Sequence, residues 1–132
     1  MQTYYDRVDS LRWGHTDAGI IGDAAQPGDD FLHIYDNYTW YFGVARAEKP
    51  GAILEFGVRY GYSLIAMGKG AIAAGVLPQV LVGIDSEWDG VSSNEIALRN
   101  ITKATGITTY ISKIDTGDRH AIDCNLTALG FC

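Results

Sequence analysis

Residues 53–63, ILEFGVRYGYS, place an acid, Glu55, two positions before Gly57 and follow it with Gly61 and Ser63. Apolar residues ahead of the acid and a polar start after the second glycine describe a strand that turns sharply into a helix. Glycines at 57 and 61 let a ligand approach the backbone. A helix beginning near Ser63 adds N–H groups without intrahelical partners and the positive end of its dipole. Such a turn suits a phosphate or a carboxylate. The spacing G-x-x-x-G is neither the G-x-G-x-x-G of dinucleotide binders nor a P-loop, which needs Gly-Lys-Ser/Thr, and a tight strand-to-helix turn holding nothing is the plain structural alternative. Asp85 ends a second apolar run, VLVGID, where an acid can accept hydrogen bonds from the two hydroxyls of a ribose. Glu55 sets negative charge beside the turn, which disfavours pyrophosphate and suits an ammonium group. The alternative use of Glu55 is a buried ion pair with Arg59 or Lys49.

The elements that must position these residues follow from the pattern. AILEFG from residue 52, a helical stretch from Ser63 to Ala74 and QVLVGID over 79–85 form a strand–helix–strand unit, which requires a parallel, buried pair of strands. A second round follows. Ser92 and Glu95 make a capping box over a helix to about Thr105, Gly106 stops it, and β-branched ITTYISKI over 107–114 forms the third strand. Residues 119–129 form one more helix, ended by Gly130. The class is therefore α/β, a Rossmann-like parallel sheet of about three strands with helices on its faces. Right-handed crossovers place the loops after Phe56, Asp85 and Ile114 along one edge.

Ahead of this unit, residues 14–30 are rich in Gly and Asp and read as irregular, separating a short N-terminal polar helix or arm from the rest. Residues 31–47 set Phe31, Ile34, Tyr35, Tyr38, Tyr41 and Phe42 at helical spacing after Asp29 or Asp30 as a cap, with Lys49-Pro50-Gly51 as the stop. That aromatic stripe belongs in the core or lines a pocket. The organisation is one domain: an arm and aromatic helix over 1–50, then a partial sheet domain over 51–132.

Composition narrows the partners. At 132 residues, 47% hydrophobic and 20% charged, the chain is a folding, globular one. A net charge of −6 offers no basic face to nucleic acid or to an anionic membrane. With no apolar leader in its first residues and no run of membrane-spanning length, a cytoplasmic protein is expected. Cys124 and Cys132 suit neither a disulfide framework nor a zinc cluster, and no grouping of carboxylates marks a metal site. His15, His33 and His120 sit in no catalytic spacing, so no general base stands out.

LEFGVRYGYS, of the form E-x-G-V-x-x-G-x-S, together with VGIDSEW, resembles the class I S-adenosylmethionine-dependent methyltransferases. The form is similar to that of small-molecule O-methyltransferases related to cephalosporin hydroxylase and rhamnosyl O-methyltransferase. The resemblance covers roughly residues 50–118. It implies that Glu55 faces the amino group of the methionyl part, that Gly57 and Gly61 flank that part, and that Ser63 meets its carboxylate. It further implies that Asp85 holds the ribose, that Ser86 to Trp88 lie near the adenine and that Asp118 contacts the adenine amino group. Trp88 either stacks on the ring or covers the sheet edge. The implied reaction is methyl transfer to a small-molecule or sugar hydroxyl, with Tyr60 and Tyr62 shaping the acceptor pocket or packing on the first helix. Family members continue with a fourth strand beside the first. Its absence predicts a truncated domain with an unpaired AILEF edge, covered by residues 1–30 or by another subunit in a homo-oligomer. A non-catalytic nucleoside-binding module and a nicotinamide-dependent oxidoreductase fragment are the alternatives.

Overall fold

A computed structural model describes residues 3, 4, 7, 8, 17–24, 37–87 and 90–131. A short helix α1 (Asp17–Ile21) and a 3-10 turn (Gly22–Ala24) precede α2 (Asn37–Glu48). Then come β1 (Ala52–Phe56), α3 (Tyr62–Ala73), β2 (Val80–Asp85), α4 (Ser93–Thr105), β3 (Thr109–Lys113) and α5 (Arg119–Ala128). All three strands are parallel in the order β1-β2-β3, so the chain has the open, helix-flanked α/β sheet of a Rossmann-like fold. No helix among the described residues is long and apolar enough to cross a membrane.

Strand pleating divides the sheet into two unlike faces. Ile53, Leu81 and Thr109 stand in register, as do Glu55, Gly83 and Ile111, and this face is covered by α3 and α4. Leu64, Ile65, Leu81, Ala97 and Ile101 are wholly buried there and form the centre of the core with Val58 and Ile107. On the opposite face Leu54, Val82 and Tyr110 share a register row, and Phe56, Ile84 and Ser112 the next. α5 lies against that face, where Ser112 donates a hydrogen bond to Asn125 at 3.0 Å. One ten-residue helix is too narrow to cover three strands: Leu54, Phe56 and Tyr110 remain 38%, 52% and 47% exposed. Phe56 borders a groove shared with Thr116, Arg119, Ile122, Asp123 and Leu126.

The second layer of helices explains the aromatic stripe. α2 packs along α3 with Phe42 and Ala45 buried, and the two backbones meet at Gly70. A Cβ there would stand 2.2 Å from the Phe42 carbonyl oxygen, so only glycine permits the approach. The proposed caps at Asp29 and Asp30, and the stripe members Phe31, Ile34 and Tyr35, lie outside the described residues.

Residues 14–30, expected to be irregular, carry α1 and the 3-10 turn, and three further expectations change. The capping box is not made, because Ser92 offers no side-chain bond to its helix. Instead Ser93 N–H bonds the Val91 carbonyl at 2.7 Å, a tight turn that takes the place of the cap. None of the described residues of 1–30 pairs with β1. α1 packs on α2 and α3, with Lys69 Nζ donating to the Ile20 carbonyl, and the 3-10 turn reaches α4. Among the described residues β1 therefore pairs with β2 alone. Strand three is also shorter than 107–114, because Ile107 turns into the core before the ladder starts.

The helix contact at Gly70 makes a direct test. Gly70→Ala should lower the unfolding free energy by roughly 3 kcal/mol in urea denaturation, since the added methyl meets backbone that cannot swing aside. Gly51→Ala, where a Cβ meets nothing within 4 Å, should be near neutral.

Candidate functional site

The turn from β1 into α3 is built by alternating backbone hands. Gly57, Arg59 and Gly61 have φ of 79°, 48° and 86°, values that glycine adopts freely and arginine does not. Gly57 N–H bonds the Ile84 carbonyl at 2.8 Å and Gly61 N–H the Val58 carbonyl at 2.9 Å, which closes the turn and starts the helix. This winding points successive N–H groups to one side, the geometry of an anion nest.

The anion in that nest is Asp85. Its Oδ2 accepts from Val58 N–H at 2.6 Å and Arg59 N–H at 2.9 Å, and its Oδ1 accepts from Glu87 N–H at 2.7 Å. Asn94 Nδ2 holds the Asp85 carbonyl from α4 at 3.3 Å. Burial pushes the Asp85 carboxyl up, but the N–H donors of Arg59, Glu87 and Val58 and the Arg59 guanidinium outweigh it, so the group is held below its ordinary value. A carboxylate has about four lone-pair sites, and three are taken. Asp85 therefore keeps one acceptor site, on Oδ1, unclaimed by the described residues, where the sequence suggested two ribose hydroxyls.

Glu55 is in the opposite condition. Its Oε2 is buried without a hydrogen-bond partner, and the half-buried residue lines a small cavity of about 150 Å³ together with Tyr38, Gly57, Val58, Arg59, Tyr60, Tyr62 and Ser63. Desolvation and then the charge of Asp85 push the Glu55 carboxyl up to about 8. At neutral pH the protein thus carries a neutral acid beside an ionised one. The cavity walls are aromatic: Tyr38 and Tyr62 meet edge to face at 5.8 Å, Tyr60 lies 6.1 Å from Tyr62, and the Arg59 guanidinium stacks over Tyr60 at 5.1 Å.

The remaining expected residues are spread out. Ser63 lies in the first turn of α3 and lines the cavity. Gly57 lines it too, its open side meeting nothing within 4 Å. Gly61 does not, and its bare Cα serves packing: a Cβ would stand 2.7 Å from Ile101 Cδ1 on α4. Ser86 follows β2, partly exposed. Asp118 is the N-cap of α5, accepting from Ala121 N–H at 3.0 Å, on the loop edge beyond β3 and away from the cavity. Trp88 lies outside the described residues, as do His15 and His33. His120 sits on α5, exposed beside Cys124.

Sequence reasoning missed one contributor. Val58 folds over Gly83, where a Cβ would come within 2.5 Å of Val58 Cγ2, and this pins the turn onto β2. The glycine inside VLVGID was the available signal, since a mid-strand glycine marks close approach. Tyr38, read from the sequence as core or pocket lining, is both.

The two acids predict opposite pH effects. Asp85, depressed in the folded state, stabilises the protein above the unfolded carboxyl value and loses that stabilisation as pH falls through its folded value. Asp85→Ala orphans three N–H donors and should cost roughly 3 kcal/mol at pH 7. Glu55, raised to about 8, favours the fold at low pH and weakens it progressively as pH climbs from the ordinary carboxyl range to 8. Glu55→Gln should therefore be near neutral at pH 5 and stabilising by a few kcal/mol at pH 8.5, read by thermal denaturation at the two pH values.

Comparison of the chain with protein-family models, with curated proteins and with solved structures gave no match.

Proposed function

We propose that the chain binds an amino-acid nucleoside, S-adenosylmethionine, and belongs to a methyltransferase that acts on a small-molecule or sugar hydroxyl. The observation that carries this reading is the enclosed, unpartnered Glu55 Oε2 beside the start of a helix. A buried acid lacking a partner suits an incoming cation, and the first turn of α3 with Ser63 and Arg59 suits a carboxylate a few ångströms away. Together they fit the two ends of an α-amino acid. The cavity, about 150 Å³, matches that portion of the ligand and is well below the roughly 300 Å³ that encloses a drug-sized molecule. The nucleoside part would then lie along the loop edge past Gly57 toward Asp85, which can accept from one ribose hydroxyl.

Bound there, S-adenosylmethionine supplies an electrophilic methyl group on a sulfonium. What the chain's own residues do is orient the amino-acid end through Glu55, Ser63 and Arg59, keep water from it with Tyr38, Tyr60 and Tyr62, and fix the ribose side through Asp85. No histidine among the described residues lines the cavity, so no proton acceptor for a hydroxyl is assigned. That same observation favours a second reading, a cofactor-binding module without turnover. A nicotinamide dinucleotide fits less well, because two N–H groups of the glycine turn are already bonded to Asp85 and Glu55 stands beside it.

Calorimetric titration separates these readings. S-adenosylhomocysteine should bind saturably, 5′-deoxy-5′-methylthioadenosine, which lacks the amino-acid end, at least about tenfold more weakly, and NADH not at all. Equal affinity for the two adenosine ligands would remove Glu55 from the recognition, and tight NADH binding would reverse the reading.

A further inference from the structure

We infer that ligand capture at this cavity expels a proton: Glu55 is a neutral acid in the empty protein and becomes a carboxylate when the ligand's ammonium group arrives. The inference rests on the amino-acid-nucleoside reading for its ligand and on the geometry around Glu55 for its chemistry. Oε2 is buried and accepts from no donor, so ionising Glu55 would put charge on an oxygen that no described residue hydrogen-bonds. The groups facing it make this worse or leave it unchanged. From β2, Asp85 presents a carboxylate stabilised in its ionised form by three N–H groups. From the turn, the Arg59 guanidinium stacks on Tyr60 and lowers Asp85 in preference to Glu55. From α2 and α3 come Tyr38, Tyr62 and Ser63, none of them charged. Asp85 thus holds the charge and Glu55 holds the proton.

An ammonium ion placed against Oε2 reverses the balance, because an opposite charge at contact distance favours the carboxylate. The O–H bond of Glu55 breaks, its electron pair stays on the carboxylate, and the proton leaves to buffer while the ligand's N–H groups donate to the freed oxygens. Charge in the cavity is conserved, with one cation entering and one proton leaving. Binding therefore tightens with rising pH by roughly tenfold per pH unit between pH 6 and 7, levels off once Glu55 is already ionised in the free protein, and weakens when the ligand's own amine loses its proton.

Two measurements test it. The empty protein, labelled with carboxyl-¹³C glutamate, is titrated from pH 4 to 9 by NMR, with Glu55→Gln, isosteric with the neutral acid, identifying the Glu55 resonance. A midpoint far above the other glutamates is expected, and titration along with them overturns the inference. S-adenosylhomocysteine and L-methionine are then titrated calorimetrically at pH 6.5 in phosphate and in imidazole. The binding enthalpies should differ by the difference in buffer ionisation heats for close to one proton, and the difference should vanish in Glu55→Gln. S-adenosylhomocysteine binding with no buffer dependence overturns proton expulsion and leaves the nucleoside reading standing. Methionine binding with proton release, while S-adenosylhomocysteine fails to bind, keeps the proton step and removes the nucleoside reading. Binding of neither overturns both.

Discussion

A single carboxylate joins the two halves of the strand–helix–strand unit. Asp85, at the end of β2, accepts the N–H groups of Val58 and Arg59 from the turn after β1, and thereby replaces hydrogen bonds that an αL-rich loop cannot make with itself. The left-handed conformation of Arg59 is costly for a residue with a side chain, and it persists because both N–H groups at 58 and 59 are engaged. With the turn fixed, α3 starts at Tyr62, and its first turn and Glu55 come to border one cavity. The same carboxylate sets the electrostatics: its stabilised charge is one of the two reasons Glu55 keeps a proton.

Glycines supply the close approaches on which this arrangement depends, each for a different reason. Gly57 adopts a positive φ and leaves an open side toward the cavity, Gly61 adopts one and admits Ile101, and Gly83 makes room for Val58. Gly70 lets α2 lie on α3, which brings Tyr38 over the cavity. The site is thus assembled from four elements that touch only because side chains are missing between them.

Much of this was readable in the chain. Hydrophobic period and stop signals located three strands and the helices after β1, β2 and β3 to within a few residues, because buried parallel strands are continuous apolar runs and helices end at residues such as Gly106, whose φ is 68°. The acid pair Glu55 and Asp85 was legible as a pair of charges at the ends of adjacent strands. Their division of labour was not, since it depends on which N–H groups point at which oxygen. The packing that also requires a glycine at 61 was not legible, because the neighbour concerned, Ile101, is forty residues away in sequence. The capping box was not made for a local reason: a three-residue backbone turn at Val91–Ser93 overrides a side-chain pattern. Asp118, an adenine contact by resemblance, is the N-cap of α5, a role that its place ahead of a helical run could have shown.

The central claim is that the Glu55 cavity, and not the apolar groove beneath Phe56, receives the ligand's amino-acid end. Backbone amide NMR during addition of S-adenosylhomocysteine tests it most directly. The largest shifts should fall on Gly57, Val58, Arg59 and Ser63, with smaller ones at Asp85 and Ser86. Shifts confined to Thr116, Ile122 and Leu126, or no shifts at saturating ligand, would contradict it.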